Sequence, residues 1–240
     1  MSPKVRVLKR VLDVALAGTA LALTAPLLPA IALAVRLESP GPVLFRQRRA
    51  GRLIGQNGRG GFVFEEFDML KFRTMYVDRP APVGAIATEA DDPRITRVGR
   101  FLRRTRCDEL PQLLHVLSGK MSVVGPRPER PEILENLIAA IPYFEERCRD
   151  VPPGITGLAQ VSLGYLGGAP EGSEIAKHVA ELTNPFEIEG ADGAPADELR
   201  IKLLYDLSYV ASLDRVSTYL RTELEILLKT PLVMIFGRGR

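Results

Sequence analysis

Apolar and polar positions are unevenly segregated along the chain. Residues 14–35 run for 22 positions without a charge. At about 1.5 Å per residue a helix of that length reaches about 33 Å, enough for a hydrocarbon core of about 30 Å. Lys4, Arg6, Lys9 and Arg10 precede the run, and Arg36, Arg46, Arg48, Arg49 and Arg52 follow it. Cationic flanks favour the cytoplasmic side of a membrane, so both ends obey that rule only if the helix enters the bilayer and returns. Pro26, with Pro29 one turn later, removes an amide donor and crowds the preceding turn, which predicts a bend at Ala25 and Pro26. Two alternatives stand beside re-entry. One is a kinked spanning anchor; the other is a cleaved signal sequence ending at Ala32-Leu33-Ala34, against which Asp13 and the length of the run argue.

Beyond the turn cluster Ser39-Pro40-Gly41-Pro42 the pattern shortens. Residues 43–45 and 61–64 are β-prone runs around a Gly- and Arg-rich stretch, 48–60, and predict a small hairpin with a mobile turn. The turn lacks the Gly-Lys-Ser/Thr ending of a phosphate-cradling loop. Residues 77–93 read as a loop. Val98, Phe101, Leu102 and Thr105 at helical spacing predict a helix from Arg97. Asp108 reads as the cap of a second helix, with Pro111 in its first turn, Leu113, Leu114 and Leu117 as its stripe and Gly119 at its end. An amphipathic helix is expected over 132–147, stopped by Val151-Pro152-Pro153-Gly154. Eight acidic residues against one Lys over 171–198 read as a solvated insertion without chemistry. Helices over 201–213 and 218–228 and an apolar tail over 231–236 complete the chain.

With 46% hydrophobic and 25% charged residues, the 240-residue chain has the composition of one sizeable globular domain, which excludes a disordered or collagen-like chain. Arg outnumbers Lys 25 to 7, which favours bidentate recognition of phosphate or carboxylate. The net charge of +3 averages a balance of +7 over residues 1–165 with one of −4 over 166–240. Cys107 and Cys148 are too few for a disulfide framework or a Cys metal site and read as packing thiols in a reducing compartment.

Arg94, Arg97, Arg100, Arg103, Arg104 and Arg106 precede the adjacent carboxylates Asp108 and Glu109, and Pro126-Arg127-Pro128 follows. Solvated pairing with Asp91, Asp92 and Glu129 accounts for Arg94, Arg97 and Arg106. A helix start and nearby cations are expected to keep the two acids ionised at neutral pH. An ionised Asp is a nucleophile toward phosphorus and a hard oxygen ligand for Mg²⁺, and guanidinium groups neutralise a phosphoryl group in transfer. Two functions fit: phosphoryl-group chemistry at a membrane surface, and a non-catalytic basic membrane module that binds anionic lipid or polymer.

Five blocks carry a resemblance: Lys71-Phe72-Arg73-Thr74-Met75, the run from Asp92-Pro93-Arg94 to Phe101-Leu102-Arg103, Asp108-Glu109-Leu110-Pro111-Gln112, the run from Met121-Ser122-Val123 to Arg127-Pro128-Glu129, and the run from Pro153-Gly154-Ile155 to Leu158-Ala159-Gln160. With Lys9-Arg10-x-x-Asp13 before them and Lys202-Leu203-x-Tyr205-Asp206 and Leu227-Leu228-Lys229-Thr230 after, the chain resembles the bacterial sugar transferases, the monotopic polyprenyl-phosphate phosphoglycosyl transferases. The resemblance implies transfer of a sugar 1-phosphate from a nucleotide diphosphate sugar, usually a UDP-sugar, to polyprenol phosphate such as undecaprenyl phosphate. UMP would leave, through a covalent aspartyl phosphosugar intermediate and with Mg²⁺ as cofactor. Such a step opens exopolysaccharide, lipopolysaccharide or other glycoconjugate synthesis. It implies Asp108 as nucleophile and Glu109 as its assistant, both as metal ligands, Arg103 and Arg127 on phosphates, Lys71 and Arg73 in the same pocket, and Ala25-Pro26 as the break of a re-entrant helix. It also implies the cytoplasmic face of the bacterial inner membrane. The expected partners are nucleotide sugar, polyprenol phosphate and membrane lipid, with no nucleic acid; a homodimer is left open. The length suggests the small catalytic form of the family. Cys107, His115, Lys120 and Pro152 depart from the family pattern without touching the implied nucleophile, and His115 reads as a packing or surface residue.

The expected fold is α+β and mostly helical. A re-entrant helix-break-helix covers 1–38. A compact helical catalytic domain at the membrane surface covers 39–240 and holds a short β-hairpin, the acidic insertion at 166–199 and C-terminal helices at 200–236.

Overall fold

Ser2 opens the first helix: its hydroxyl accepts the Val5 amide, and Pro3 takes a position where no N–H is needed. The structure, a computed structural model, describes residues 1–58, 60–79, 92–163 and 194–235. Helix α1 (Pro3–Thr24) and helix α2 (Leu27–Glu38) are bent by 62° across Ala25 and Pro26, where the prolines place the break. Among the described residues no single helix is long and apolar enough to cross a membrane, whereas the bent pair qualifies together.

Helix α1 does not stand apart from the rest. Val5, Lys9, Asp13 and Ala17, four residues apart on one face, are all buried. Val5 packs with Tyr209, Leu213, Tyr219 and Ile226, and Ala17 with Phe67, Leu113 and Val116, so the segments divided at residue 38 share a core. The buried charges are paired, as burial requires. The Lys9 ammonium donates to the Val124 carbonyl (2.9 Å) and to Glu223 (3.0 Å), while Asp13 accepts the Ser122 hydroxyl (2.8 Å) and the Val123 amide (2.9 Å).

The hairpin is longer than expected. Strand β1 (Leu44–Gln56) pairs antiparallel with β2 (Phe62–Phe72), from Leu44 opposite Phe72 to Gln56 opposite Phe62, with register shifts after Ala50 and around Leu53. Most of the stretch expected as a loop over 48–60 is therefore strand. Its Gly and Arg residues are weak strand formers alone, but cross-strand pairs hold them: Arg48 with Glu66, and Arg52 with both oxygens of Glu65 at 3.0 and 2.8 Å. A second sheet, not foreseen, pairs β3 (Ser122–Val124) with β4 (Gly154–Thr156) in parallel. Its close approach needs bare backbone, since a Cβ on Gly154 would lie 2.1 Å from the Gly125 nitrogen.

Helix α3 (Arg97–Thr105) starts at the expected residue, capped by the Thr96 hydroxyl, which accepts the Gly99 amide at 2.8 Å. Arg106, at φ 58°, ends it and leads into a 3₁₀ turn (Cys107–Gln112) and helix α4 (Leu113–Leu117). Asp108 is thus inside the first turn and not its cap. The single helix expected over 132–147 is instead α5 (Pro131–Ala140) and a 3₁₀ turn (Phe144–Cys148). Pro142 cannot donate, and Tyr143 adopts φ 65°, so the helix stops ahead of them, at Ala140. Helix α6 (Leu158–Leu163), α7 (Ala194–Ser212) and α8 (Val216–Ile235) follow, and α8 absorbs most of the expected apolar tail. Most of the loop over 77–93 and of the acidic insertion lies outside the described residues; the insertion's last positions, from Ala194, are helical. The described fold is α+β, mostly helical, with one antiparallel hairpin.

Candidate active site

Three segments converge on the carboxylate pair. Strand β2 ends at Lys71 and Phe72, α3 carries Arg103 in its last turn, and the left-handed Arg106 turns the chain so that Asp108 and Glu109 fall in the next turn. Both acids are buried. The Lys71 ammonium donates to Glu109 Oε1 at 2.6 Å. Asp108 Oδ1 is buried without a hydrogen-bond partner. Such an oxygen lies at an uncompensated cost unless a ligand meets it.

The two acids titrate apart. Burial pushes the Asp108 carboxyl up to about 6, Glu109 adds to the push, and Lys71, Arg106 and Arg103 oppose it. Burial would raise Glu109 too, but Lys71 and then Arg127 outweigh it and hold that carboxyl below its ordinary value. The expectation that a helix start and nearby cations keep both acids ionised at neutral pH agrees with the lowered Glu109; at Asp108 desolvation exceeds cationic attraction and narrows the margin without reversing the charge. With a pKa of about 6, Asp108 is still mostly anionic at neutral pH.

Arg103 lies beside the pair. Its Nε donates to the Thr74 hydroxyl at 2.8 Å, and its charge acts on Asp108. Arg127 is exposed and faces the same cluster electrostatically through Glu109. Its backbone is fixed from behind: Arg147 donates to the Arg127 carbonyl at 2.9 Å and is itself held by Asp206 at 2.8 Å and Glu129 at 3.4 Å.

A small cleft opens between these segments, lined by Arg49, Lys71, Glu109, Gln112, Arg127 and the backbone near Gly154. Asp108, next to Glu109 in the chain, and Arg103, which acts on Asp108, do not line the cleft. Arg49 and Gln112 were not singled out by sequence. Arg49 belongs to a run of hairpin arginines without individual marks, and the long strand pairing brings it here, where its guanidinium donates to the Pro128 carbonyl at 3.0 Å and to Gln47 at 2.6 Å. Burial, then Arg127, lower its pKa to about 10.

Arg73 is placed elsewhere. It is buried, and its guanidinium donates to the carbonyls of Pro40 (2.9 Å) and Ser39, at the end of α2. The strand ends at Phe72, so the residue after it turns away from the Lys71 side. His115 acts in packing: its Nε2 accepts the Leu70 amide at 3.1 Å and its ring meets Phe67 edge-on. Arg94 pairs with Asp92, as expected. Cys107 is half-buried and Cys148 buried, both as free thiols.

Among the described residues no three His, Cys, Asp or Glu side chains converge on a point. The pair supplies two carboxylates, one with a bare buried oxygen. That donor set fits a Mg²⁺ ion that takes its remaining ligands from substrate phosphates and water.

The family model described as bacterial sugar transferase matches residues 4–237. The chain is 50% identical over 160 residues to a UDP-glucose:undecaprenyl-phosphate glucose-1-phosphate transferase of Caulobacter vibrioides, covering 67% of this chain and 55% of that one. It is 46% identical over 162 residues to an Escherichia coli protein of the same name, covering 68% and 32%. A UDP-N-acetylgalactosamine-undecaprenyl-phosphate N-acetylgalactosaminephosphotransferase of Aeromonas hydrophila is 36% identical over 209 residues, covering 87% and 40%. The chain therefore spans about half, or less, of the length of these relatives.

Proposed function

The chain belongs to the bacterial sugar transferase family, and we propose that it transfers a sugar 1-phosphate from a UDP-sugar to polyprenol phosphate, with UMP as the leaving product. The observation that carries this reading is Asp108 Oδ1, a buried carboxylate oxygen without a partner, among Lys71, Arg103 and Glu109. A carboxylate in that state is poorly solvated and free to form a bond to phosphorus. In the proposed sequence, Asp108 attacks the sugar-linked phosphorus. The bond from that phosphorus to the bridging oxygen breaks, and UMP leaves with the electron pair. A phosphate oxygen of the polyprenol phosphate then attacks the same phosphorus and expels the Asp108 carboxylate, which gives the polyprenyl diphosphate sugar.

Each step moves negative charge within a cationic setting. Arg103 balances the Asp108 side and Lys71 holds Glu109 ionised. Arg127, exposed beside the cleft, is proposed to meet the diphosphate. Mg²⁺ held by Asp108 and Glu109 would neutralise phosphate oxygens. Arg73 is left out of the phosphate-binding set, because it is buried with its two terminal nitrogens on the carbonyls of Pro40 and Ser39.

We further propose that α1 and α2 form a re-entrant element that seats the site on the cytoplasmic face of the bacterial inner membrane, where a soluble nucleotide sugar and a lipid phosphate can both reach it. The relatives' names make UDP-glucose the first donor to try and UDP-N-acetylgalactosamine the second. The full chain in lipid nanodiscs, given these donors and undecaprenyl phosphate, should release UMP, and Asp108→Asn should abolish release. Undiminished turnover by Asp108→Asn would sink the mechanism. Absence of release with every donor, together with salt-sensitive adhesion to anionic vesicles, would favour a binding module instead.

A further inference from the structure

Helix α3 has no acidic residue in its own first turn, yet its start is capped by a carboxylate from far away. Glu38, the last residue of α2, lays both oxygens across it: Oε1 accepts the Arg97 amide at 2.7 Å and Oε2 the Val98 amide at 2.9 Å. These are two of the N–H groups that a helix start leaves unpaired, and the positive end of the helix favours an anion there. With the Thr96 hydroxyl on the Gly99 amide, three successive donors are satisfied.

The end of α2 is gripped a second time by Arg73 at the carbonyls of Ser39 and Pro40. The next residue, Thr74, accepts the Thr96 amide on its carbonyl at 3.0 Å and the Arg103 Nε–H on its hydroxyl at 2.8 Å. Apolar packing continues the connection. Val35, Phe72 and Leu102 form a buried cluster that takes Leu28 and Ile31 from α2 and Cys107 and Leu110 from the turn holding the two acids. Cys107 and Leu110 stand on either side of Asp108 and Glu109 in the chain. The second arm of the bent pair thus touches α3 at its start and the acid-bearing turn beyond its end.

We propose that Glu38 is a positioning residue for the Asp108–Glu109 pair. By fixing the start of α3 it sets the position of Arg103, one and a half turns on, and of the turn that presents Asp108. It touches neither acid and acts through α3 alone. Its catalytic consequence rests on the function proposed above, but its geometric consequence does not, and the two are read separately.

The experiment uses the full chain in nanodiscs with Glu38→Ala and Glu38→Gln. The first readout is UMP release as a function of UDP-sugar concentration. Glu38→Ala should lower kcat about tenfold and leave KM within about twofold, since it misplaces the reacting groups and removes no substrate contact. Glu38→Gln, which keeps one acceptor for the α3 start, should fall between wild type and Glu38→Ala. The second readout is the rate of alkylation of the two thiols by a maleimide, resolved by peptide mass. Cys107, half-buried next to Asp108, should react at least about threefold faster in Glu38→Ala, while buried Cys148 keeps its wild-type rate. Equal acceleration of both thiols would mean general loosening and would overturn the proposal, as would unchanged Cys107 reactivity or a change confined to KM. If wild type releases no nucleotide, the proposed function falls and the thiol rates alone decide the positioning role.

Discussion

A carboxyl buried beside a second carboxyl holds its proton more tightly than it would in water, and Asp108 shows this with a pKa of about 6. Two consequences follow for that residue. As the proposed nucleophile it must be deprotonated, so kcat/KM should climb as pH rises through about 6 and level off above 7, measured with UDP-glucose at constant ionic strength. For stability the sign is opposite. A raised folded-state pKa means that the folded chain binds the proton more tightly, so this stability is present below the ordinary carboxylate value near 4 and is lost as pH rises through about 6. Asp108→Asn should therefore be more stable than wild type at pH 8, by on the order of 1–3 kcal/mol, and the gap should close toward pH 4 in denaturant titrations. Glu109 behaves differently because Lys71 touches it. Lys71→Met leaves a buried anion without its cation and should cost on the order of 2 kcal/mol of stability as well as most activity, with Lys71→Arg recovering part of the activity.

At the scale of elements, legibility followed the range of the signal. The break at Ala25-Pro26 and the start of α3 at Arg97 were legible because proline geometry and the Thr96 cap act within a few residues. The stop at Pro142 is just as local, and the apolar spacing over 132–147 masked it. The length of the hairpin was not legible because the Gly and Arg residues of β1 are weak strand formers on their own, and the β3–β4 pairing was not because Ser122 and its partner Gly154 lie far apart in sequence. The site divides in the same way. Asp108, Glu109, Lys71 and Arg103 do come together, whereas Arg73, two residues from Lys71, is claimed by α2 through contacts that no spacing reveals. The close approach of α3 to the end of β2 also has a price: a Cβ on Gly99 would stand 2.1 Å from the Thr74 carbonyl oxygen. Gly99→Ala should lower stability by about 1–3 kcal/mol and, because Thr74 also holds Arg103, reduce kcat; thermal unfolding and UMP release measured on one preparation would check both.

At the scale of the whole molecule, the bent pair and the body of the protein form one object. Cysteines placed singly at the exposed positions Lys4 and Pro42, in a background without Cys107 and Cys148, should both resist an impermeant thiol reagent added to intact cells. Labelling of one position alone would show a spanning helix instead. Lys9 is the joint: it reaches Val124 and Glu223 from within α1. Lys9→Met should cost about 3–5 kcal/mol by stranding the Glu223 carboxylate, and Lys9→Met with Glu223→Gln should recover part of that loss.

That joint also sets an order of events during synthesis. Glu223 lies 214 positions after Lys9, so on a growing chain the first helix waits for the last one described. The uncharged run leaves the ribosome long before its neighbours in the core exist. Under the re-entrant topology proposed above, the molecule would be held at the bilayer while its carboxylate pair is still unassembled. The core around Lys9 is completed only when α8 arrives to receive the lysine, so a chain truncated before Glu223 would lack that core.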